Sequence, residues 1–159
     1  MAAMGETHAP SLVTPLVAML AGDAGHFQTA RQPLEALLGP VEMESPIYLF
    51  DKTGYYEPEM GADLKRQFFS FKNLADPSLL VAWKLSTNLM EVELKRSIEP
   101  ALGVGAKLPP RPVNLDPGYI TGGKLVLAST KDFAHRIYLR DGIYGEITMH
   151  FRAHGWVSH

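Results

Sequence analysis

Two segments in the second half of the chain concentrate side chains that could bind or activate a ligand. The first is Arg111-Pro-Val-Asn-Leu-Asp-Pro-Gly-Tyr119, which brings Asn114, Asp116 and Tyr119 together with a guanidinium. A carboxylate, an amide and a guanidinium at one edge of a sheet could converge on a small polar ligand. The same residues also suit a turn, in which the Asp side chain bonds backbone amides, the proline fixes φ and Gly118 supplies a positive φ. The sequence leaves both interpretations open.

The second segment, residues 131–139, supplies Lys131, His135 and Arg136. Strand alternation places Arg136 on the same face as Glu146 and directs His135 towards apolar neighbours, so we expect His135 to be a core residue. If exposed, the Arg136–Glu146 pair would be a cross-strand ion pair worth less than about 1 kcal/mol. If covered by a helix or a loop, it would become a bidentate anchor for a carboxylate or phosphate.

A third polar segment, Tyr55-Tyr-Glu-Pro-Glu-Met-Gly61, joins two aromatic rings to two carboxylates and adds Tyr55 and Glu59 to the candidate binding residues. Paired carboxylates can act as acid and base or bind a hard cation. A solvated acidic turn is the interpretation that we favour for this segment.

Several chemistries are excluded or disfavoured. The chain has no cysteine, which excludes disulfides, thiolate zinc sites, iron–sulfur clusters and cysteine nucleophiles. Residues 118–124 match the spacing of a phosphate-binding loop, but Leu125 stands where a hydroxyl should bind magnesium, and a strand follows where a helix should begin. No zinc spacing, nucleophile elbow or Rossmann motif is present. The sequence therefore identifies no metal site, no cofactor and no reaction.

The composition is that of a folded protein with no electrostatic preference for polyanions. The chain has 159 residues, of which 46% are hydrophobic and 20% charged, and its net charge is −2. Without a clustered excess of Lys and Arg, nucleic acid and anionic membranes are disfavoured as partners. The apolar run Leu12–Ala21 is too short to span a bilayer, and no basic residue precedes Arg31, so it fails as a signal peptide. We expect a cytoplasmic protein.

Strand and helix patterns must position the polar segments. We expect residues 1–11 to be a disordered lead and residues 12–159 to form one globular domain. Pro33 should kink or split the first helix. Asp76 and Pro77 should cap the second helix, whose apolar residues repeat every three to four positions. We predict strands at 15–21, 47–50, 67–71, 113–120, 124–129, 135–140 and 143–151, and helices at about 24–38 and 77–98.

The register of the last hairpin can be predicted from its polar and apolar pattern. A three-residue loop with Gly142 in the left-handed conformation sorts the two faces better than a two-residue Asp-Gly turn. This register pairs Arg136 with Glu146 and Tyr138 with Tyr144. It places on the core side Ile137, Leu139, Ile143, Ile147 and Met149.

The order of elements predicts an α+β fold in which two helices cover one face of a mainly antiparallel sheet. A ferredoxin-like core with an added C-terminal hairpin is the specific expectation.

The motifs resemble those of a prokaryotic family that is known only as a domain of unknown function and is marked by an Asp-Pro-Gly-Tyr motif. The similarity covers nearly all of the chain after its first dozen residues. It implies a shared site but no activity. Family members continue beyond this point with an aromatic segment containing Pro-Asp-Tyr, so the chain could lack a last C-terminal element. The matching residues are Asp51, Tyr55, Tyr56, Glu59, Met60, Gly61, Lys84, Asn88, Glu91, Asn114, Asp116, Pro117, Gly118, Tyr119, Lys131, His135, Arg136, Tyr138, Gly142, Tyr144 and Glu146.

Three functions fit these residues. The leading hypothesis is that the protein binds an anionic small molecule in a polar cleft lined by Asn114, Asp116, Tyr119, Lys131, Arg136 and Glu146, with Tyr55 and Glu59 nearby. The first alternative is a non-catalytic interaction module that presents Tyr55, Tyr56, Tyr138 and Tyr144 to a protein partner. The second is a divalent-metal hydrolase, which would require the carboxylates of Asp51, Glu57, Glu59 and Asp116 to meet.

Overall fold

The computed structural model describes residues 4–51 and 54–159, so residues 1–3 of the predicted lead and residues 52–53 lie outside the described residues. Single 3-10 turns, Pro77–Leu79 and Glu99–Ala101, precede and follow the longest helix. The strands and helices are, in chain order, β1 Thr14–Ala21, α1 Gly25–Leu38, β2 Val41–Glu44, β3 Tyr48–Leu49, α2 Glu57–Met60, β4 Lys65–Phe71, α3 Leu80–Ile98, β5 Val113–Ile120, β6 Lys124–Ser129, β7 Ile137–Arg140, β8 Ile143–Arg152 and β9 Gly155–Ser158.

Four strands and two helices form the predicted ferredoxin-like core. The strands lie in the order β2-β4-β1-β5, and each neighbouring pair is antiparallel. α1 connects β1 to β2 and α3 connects β4 to β5, so each helix crosses one intervening strand in a split β-α-β arrangement. Both helices pack against the same face of the sheet in the main apolar cluster. The predicted α+β class with two covering helices is therefore confirmed.

β1 is the central strand because both of its faces are covered. Val17 and Met19 pack beneath the helices, whereas Leu16 and Leu20 belong to smaller apolar clusters on the opposite face. Every residue from position 15 to 21 is buried. A continuous apolar run, rather than an alternating one, is the pattern expected of such a strand.

The two long helices follow their sequence signals, with one difference. The Asp76 carboxylate accepts a hydrogen bond of 2.8 Å from the Ser78 amide, as expected for the residue that caps the entry to α3. α1 runs without interruption through Pro33, so the predicted split is wrong. The buried residues of α1 outweigh the hydrogen bond that the proline removes. The predicted apolar stripe of α3 is buried and comprises Leu80, Trp83, Thr87, Met90, Leu94 and Ile98.

The C-terminal part of the sheet is larger than the single added hairpin that the sequence predicts. β6, β8 and β7 continue the sheet beyond β5, and β9 pairs with the end of β8. β9 and the edge strand β2 each have four residues, most of them exposed. Neither strand carries the apolar run by which a buried strand is recognised.

The β7–β8 hairpin has the predicted cross-strand pairing but a different loop. Tyr138 pairs with Tyr144, and their ring centroids lie 5.1 Å apart. The loop consists of two residues, Asp141 and Gly142, whose φ angles are 52° and 77°. A bulge next to Arg140 shifts the register of the two strands by one residue and so pairs the two tyrosines, without a third loop residue.

The predicted core side of this hairpin is mostly uncovered. Ile143 is 2% exposed, but Ile137, Leu139 and Ile147 are 71%, 43% and 47% exposed. The main apolar cluster under the helices reaches β8 only at Ile143, so the rest of the apolar side of β7 and β8 is largely exposed. These residues form part of an open apolar groove of about 650 Å³. The groove is lined by Leu80, Val81, Tyr119, Val126, Ile137, Leu139 and Ile147, among others.

Within the described residues, no helix combines the length and the apolar character needed to cross a membrane.

Candidate functional site

The polar residues gather in a cleft of about 270 Å³ on the face of the sheet opposite the helices. Arg66 on β4 lies on one wall, and Glu146 and Thr148 on β8 lie on the other. The segment before α2 contributes three aromatic rings, and the loop from β6 to β7 contributes polar groups and Phe133. The cleft is lined by Phe50, Tyr55, Tyr56, Arg66, Lys84, Arg111, Asn114, Asp116, Leu127, Ala128, Ser129, Thr130, Lys131, Phe133, Arg136, Glu146 and Thr148.

The cleft lies beside a gap in the sheet. β5 pairs with β6 only through residues 118–120, so the first part of β5 has no neighbouring strand on that side. Two side chains of α3 fill the gap. Glu91 accepts a hydrogen bond of 2.7 Å from the Leu115 amide, and the Lys84 ammonium donates one of 3.1 Å to the Leu115 carbonyl. The helix therefore satisfies backbone groups that a strand would otherwise pair.

The Asp-Pro-Gly-Tyr motif is part of strand β5, so its interpretation as a turn is wrong. The backbone N–H and C=O of Leu115 point away from β1. Because these directions alternate along an antiparallel strand, the backbone of Pro117 also points away from β1, and the N–H that proline lacks removes no hydrogen bond to β1. Gly118 does not have a positive φ. It is needed because a Cβ there would lie 2.1 Å from the Val126 carbonyl oxygen. The glycine allows β5 and β6 to meet where the gap ends.

A hydrogen-bonded network holds the Asp116 carboxylate. Lys84 Nζ lies 2.9 Å from Asp116 Oδ1, and Asn114 Nδ2 donates to Asp116 Oδ2 at 2.7 Å. Burial would raise the pKa of Asp116, but Lys84, Asn114 and the charge of Arg111 together hold it below its ordinary value of 3.8. Asp116 is therefore ionised at neutral pH and bound by groups of the protein itself.

Arg111 belongs to the same network. Its guanidinium donates two hydrogen bonds of 3.1 Å to the two oxygens of Glu91 and a further one to the Asn114 side chain. Burial would lower the pKa of Arg111, but its bonds to Glu91 and the nearby charges of Asp116 and Glu59 raise it. Most of its donors are already committed to protein acceptors.

Glu146 binds two neighbours on the opposite wall. Arg136 Nε donates to Glu146 Oε2 at 3.1 Å, and His135 Nε2 lies 2.6 Å from the same oxygen. The Arg136 guanidinium also lies 4.7 Å from the centre of the Phe133 ring. The His135 side chain is 60% exposed, so its prediction as a core residue is wrong. Position 135 lies in a turn before β7, which begins at Ile137, so strand alternation does not set the direction of this side chain.

Lys131 reaches the aromatic side of the cleft from the β6–β7 loop. Its ammonium donates a hydrogen bond of 2.6 Å to the Tyr55 hydroxyl and lies 4.5 Å from the centre of the same ring. Among residues 4–51 and 54–159, no carboxylate forms an ion pair with Lys131.

Arg66 and Thr148 contribute unpaired polar atoms that sequence reasoning missed. In the described part of the chain, Arg66 Nε and Thr148 Oγ1 are buried without a hydrogen-bond partner, and Gln67 Oε1 is the other such side-chain atom. The Arg66 guanidinium lies 4.7 Å from the centre of the Phe50 ring. Burial lowers the pKa of Arg66, partly offset by Asp116 and Tyr56. Alternation along β4 does place Arg66 on the face away from the helices, which is the signal that could have identified it.

Six of the eight predicted site residues line this cleft, namely Asn114, Asp116, Lys131, Arg136, Glu146 and Tyr55. The other two do not. Glu59 lies outside the lining, with its carboxylate 3.8 Å from the Arg111 guanidinium. Tyr119 points to the other side of the sheet, where it packs against the helix-covered core and lines the apolar groove. Burial raises the pKa of Tyr119.

The described residues contain no group of three or more His, Asp or Glu side chains that could hold a metal ion. The carboxylates named for the metal-hydrolase alternative therefore do not form such a cluster within them.

Together, the fold and the site define an α+β protein with a ferredoxin-like core and an extended antiparallel sheet, whose open face carries a cleft rich in cations and aromatic rings. The family model for the domain of unknown function DUF4416 matches residues 12–159, so the chain belongs to that family. Comparison with curated proteins and with solved structures gives no significant match.

Proposed function

We propose that the protein binds an anionic small molecule in the polar cleft. The observation that carries this proposal is the pair of buried, unpaired polar atoms in one cleft, Arg66 Nε and Thr148 Oγ1. A buried donor without a partner costs about 1–3 kcal/mol, so such atoms favour a site where a ligand completes the hydrogen bonding. The guanidinium of Arg66 would attract an anion in particular, because it is only partly solvated and no carboxylate of the described chain lies within ion-pair distance.

The overall charge of the cleft supports an anion rather than a cation. Its lining contains five cationic side chains but only two carboxylates, Asp116 and Glu146. Each of these carboxylates is already bound by a cation of the protein. The aromatic rings beside the cations would exclude water and strengthen the attraction.

A calorimetric screen of the full chain against phosphorylated metabolites, nucleotides and small carboxylates tests this function. The first variant is Arg66→Met, which keeps an aliphatic stem against Phe50 but removes the charge. We expect it to weaken binding of any ligand found by about ten-fold or more.

The matched control is Arg31→Met on the surface of α1, where Arg31 pairs with Glu35 and Glu44 away from the cleft. This variant should bind like the unchanged chain. Absence of any ligand in the screen, or equal affinities for the two variants, would reject the cleft as an anion site.

A second candidate function, a protein-interaction module, is favoured by the apolar groove on the other side of the sheet. Exposed apolar patches of this kind mark interaction surfaces. Tyr55 and Tyr56 do not support the tyrosine-patch version of this idea, because they line the concave cleft. The groove has basic side chains at its margin, Lys124 and Arg140, and its one carboxylate, Glu146, is bound by Arg136.

Self-association is the simplest form of this second function to test. Sedimentation velocity over a wide concentration range should detect a dimer, and Ile137→Glu should abolish it, because Ile137 is 71% exposed in the groove. Leu74→Glu is the control, since Leu74 is 59% exposed but outside the groove lining. A monomer at every concentration would count against self-association through this surface.

A further inference from the structure

The cations of the cleft fall into two groups by their partners. Lys84, Arg111 and Arg136 each form an ion pair with a carboxylate of the protein. Arg66 and Lys131 form none with the described residues. Two positive charges therefore remain uncompensated, and a ligand that neutralises both must carry two negative charges.

These two cations lie at opposite ends of a row of aromatic rings. The Arg66 guanidinium lies 4.7 Å from the centre of the Phe50 ring, and the Lys131 ammonium lies 4.5 Å from that of Tyr55. Tyr56 connects the row, with its ring centre 5.9 Å from Phe50 and 5.1 Å from Tyr55. Arg66 is on β4 and Lys131 follows β6, with β1 and β5 between those strands. The two cations thus come from different elements and lie against different rings of the row.

We propose that the cleft selects molecules with two acidic groups joined by a short spacer, such as dicarboxylates or phosphorylated carboxylates. This inference rests on the proposed anion-binding function and specifies its ligand class. Arg66 binds one acidic group in the buried part of the cleft. Lys131 binds the other at the exposed end, and the spacer lies along the aromatic row.

Titration calorimetry with matched pairs of ligands tests the proposal on the full chain. Glutarate is compared with butyrate, and phthalate with benzoate, so that each pair differs by one carboxylate. The second carboxylate should tighten binding by about ten-fold, which is the effect expected of one added, partly screened ion pair beside an aromatic ring. Lys131→Met should reduce the ratio of the two affinities to about one. Lys124→Met, which alters a lysine at the margin of the apolar groove, should leave the ratio unchanged.

The results separate this inference from the function on which it rests. Equal affinities within each pair, or a ratio that Lys131→Met does not change, would overturn the two-group selectivity while anion binding itself stands. Inorganic phosphate binding as tightly as glutarate would also overturn it, because both charges then reside on one group. If none of these anions binds, the proposed function fails, and this inference fails with it.

Discussion

The ionised Asp116 makes the protein sensitive to acid. Its pKa lies below the ordinary value of 3.8 because Lys84, Asn114 and Arg111 outweigh the effect of burial. A carboxylate with a lowered folded-state pKa stabilises the fold above its unfolded-state pKa, and this stabilisation is lost as pH falls through the folded-state value. The network therefore contributes fully at neutral pH and weakens below about pH 4.

We expect Asp116→Asn to lower the free energy of unfolding at pH 7 by about 2 kcal/mol, because it leaves the Lys84 ammonium without a charged partner. The variant should also lose less stability than the unchanged chain between pH 5 and pH 3, on the order of 1 kcal/mol less. Urea denaturation at several pH values measures both effects. Asp141→Asn is the control, because the Arg140–Asp141 pair is more than half exposed. If the free energy of unfolding changed with pH in the same way for Asp116→Asn and the unchanged chain, the stabilising role of ionised Asp116 would be contradicted.

At the scale of single residues, the sequence points to six of the residues that line the cleft but not to their hydrogen bonds. The polar groups of residues 111–119 and 131–146 were identifiable because such groups are unusual within strands. Arg66 was missed because it is one of four polar residues of β4, and strand alternation gives the face of its side chain but not its burial. The prediction for His135 is wrong because it assumes strand alternation at a residue that lies in the turn before β7.

At the scale of elements, the junction of β5 with β6 determines the shape of the cleft. The two strands pair through only three residues, and Gly118 lies where a side chain would strike the Val126 carbonyl. That carbonyl belongs to the backbone, so a side chain at position 118 could be accommodated only by moving one strand away from the other.

We therefore expect Gly118→Ala to destabilise the protein by about 3 kcal/mol, as overpacking against a fixed backbone does. A thermal scan should show a melting temperature lower by about 5–10 °C. Gly123→Ala provides the control, since a Cβ there meets no heavy atom within 4 Å. Equal melting temperatures for the two variants would show that the strands are not as close as described.

The elements themselves were predictable where a long apolar pattern specified them. A continuous apolar run predicts β1, and a periodic one predicts α3. The Asp-Pro-Gly sequence was misleading because the same three residues suit both a turn and a strand beside an unpaired edge. Only the position of α3, whose Lys84 and Glu91 bind the backbone of Leu115, makes the second option stable.

At the scale of the whole molecule, the order of elements was sufficient to predict the ferredoxin-like core. When strand patterns and helix patterns follow one another in this order, few topologies allow the helices to cover one face of an antiparallel sheet. The same argument could not predict the extent of the C-terminal strands or the uncovered groove. Coverage depends on where the helices end relative to the sheet, and this is not encoded in the pattern of any one strand. The single-domain organisation, the cytoplasmic location and the absence of nucleic-acid partners stay predictions.

Because β5 and β6 pair through only three residues, this junction is where we expect the two parts of the sheet to separate most easily. The ferredoxin-like strands lie on one side of it and β6 to β9 on the other, and the cleft spans both, with Arg66 on the first side and Lys131 and Thr148 on the second. A ligand bound to groups on both sides would hold the two parts of the sheet together at this junction. Local unfolding at this junction would then become rarer when a ligand occupies the cleft. Backbone amides on both sides would exchange with deuterium more slowly, although most of them do not contact the ligand.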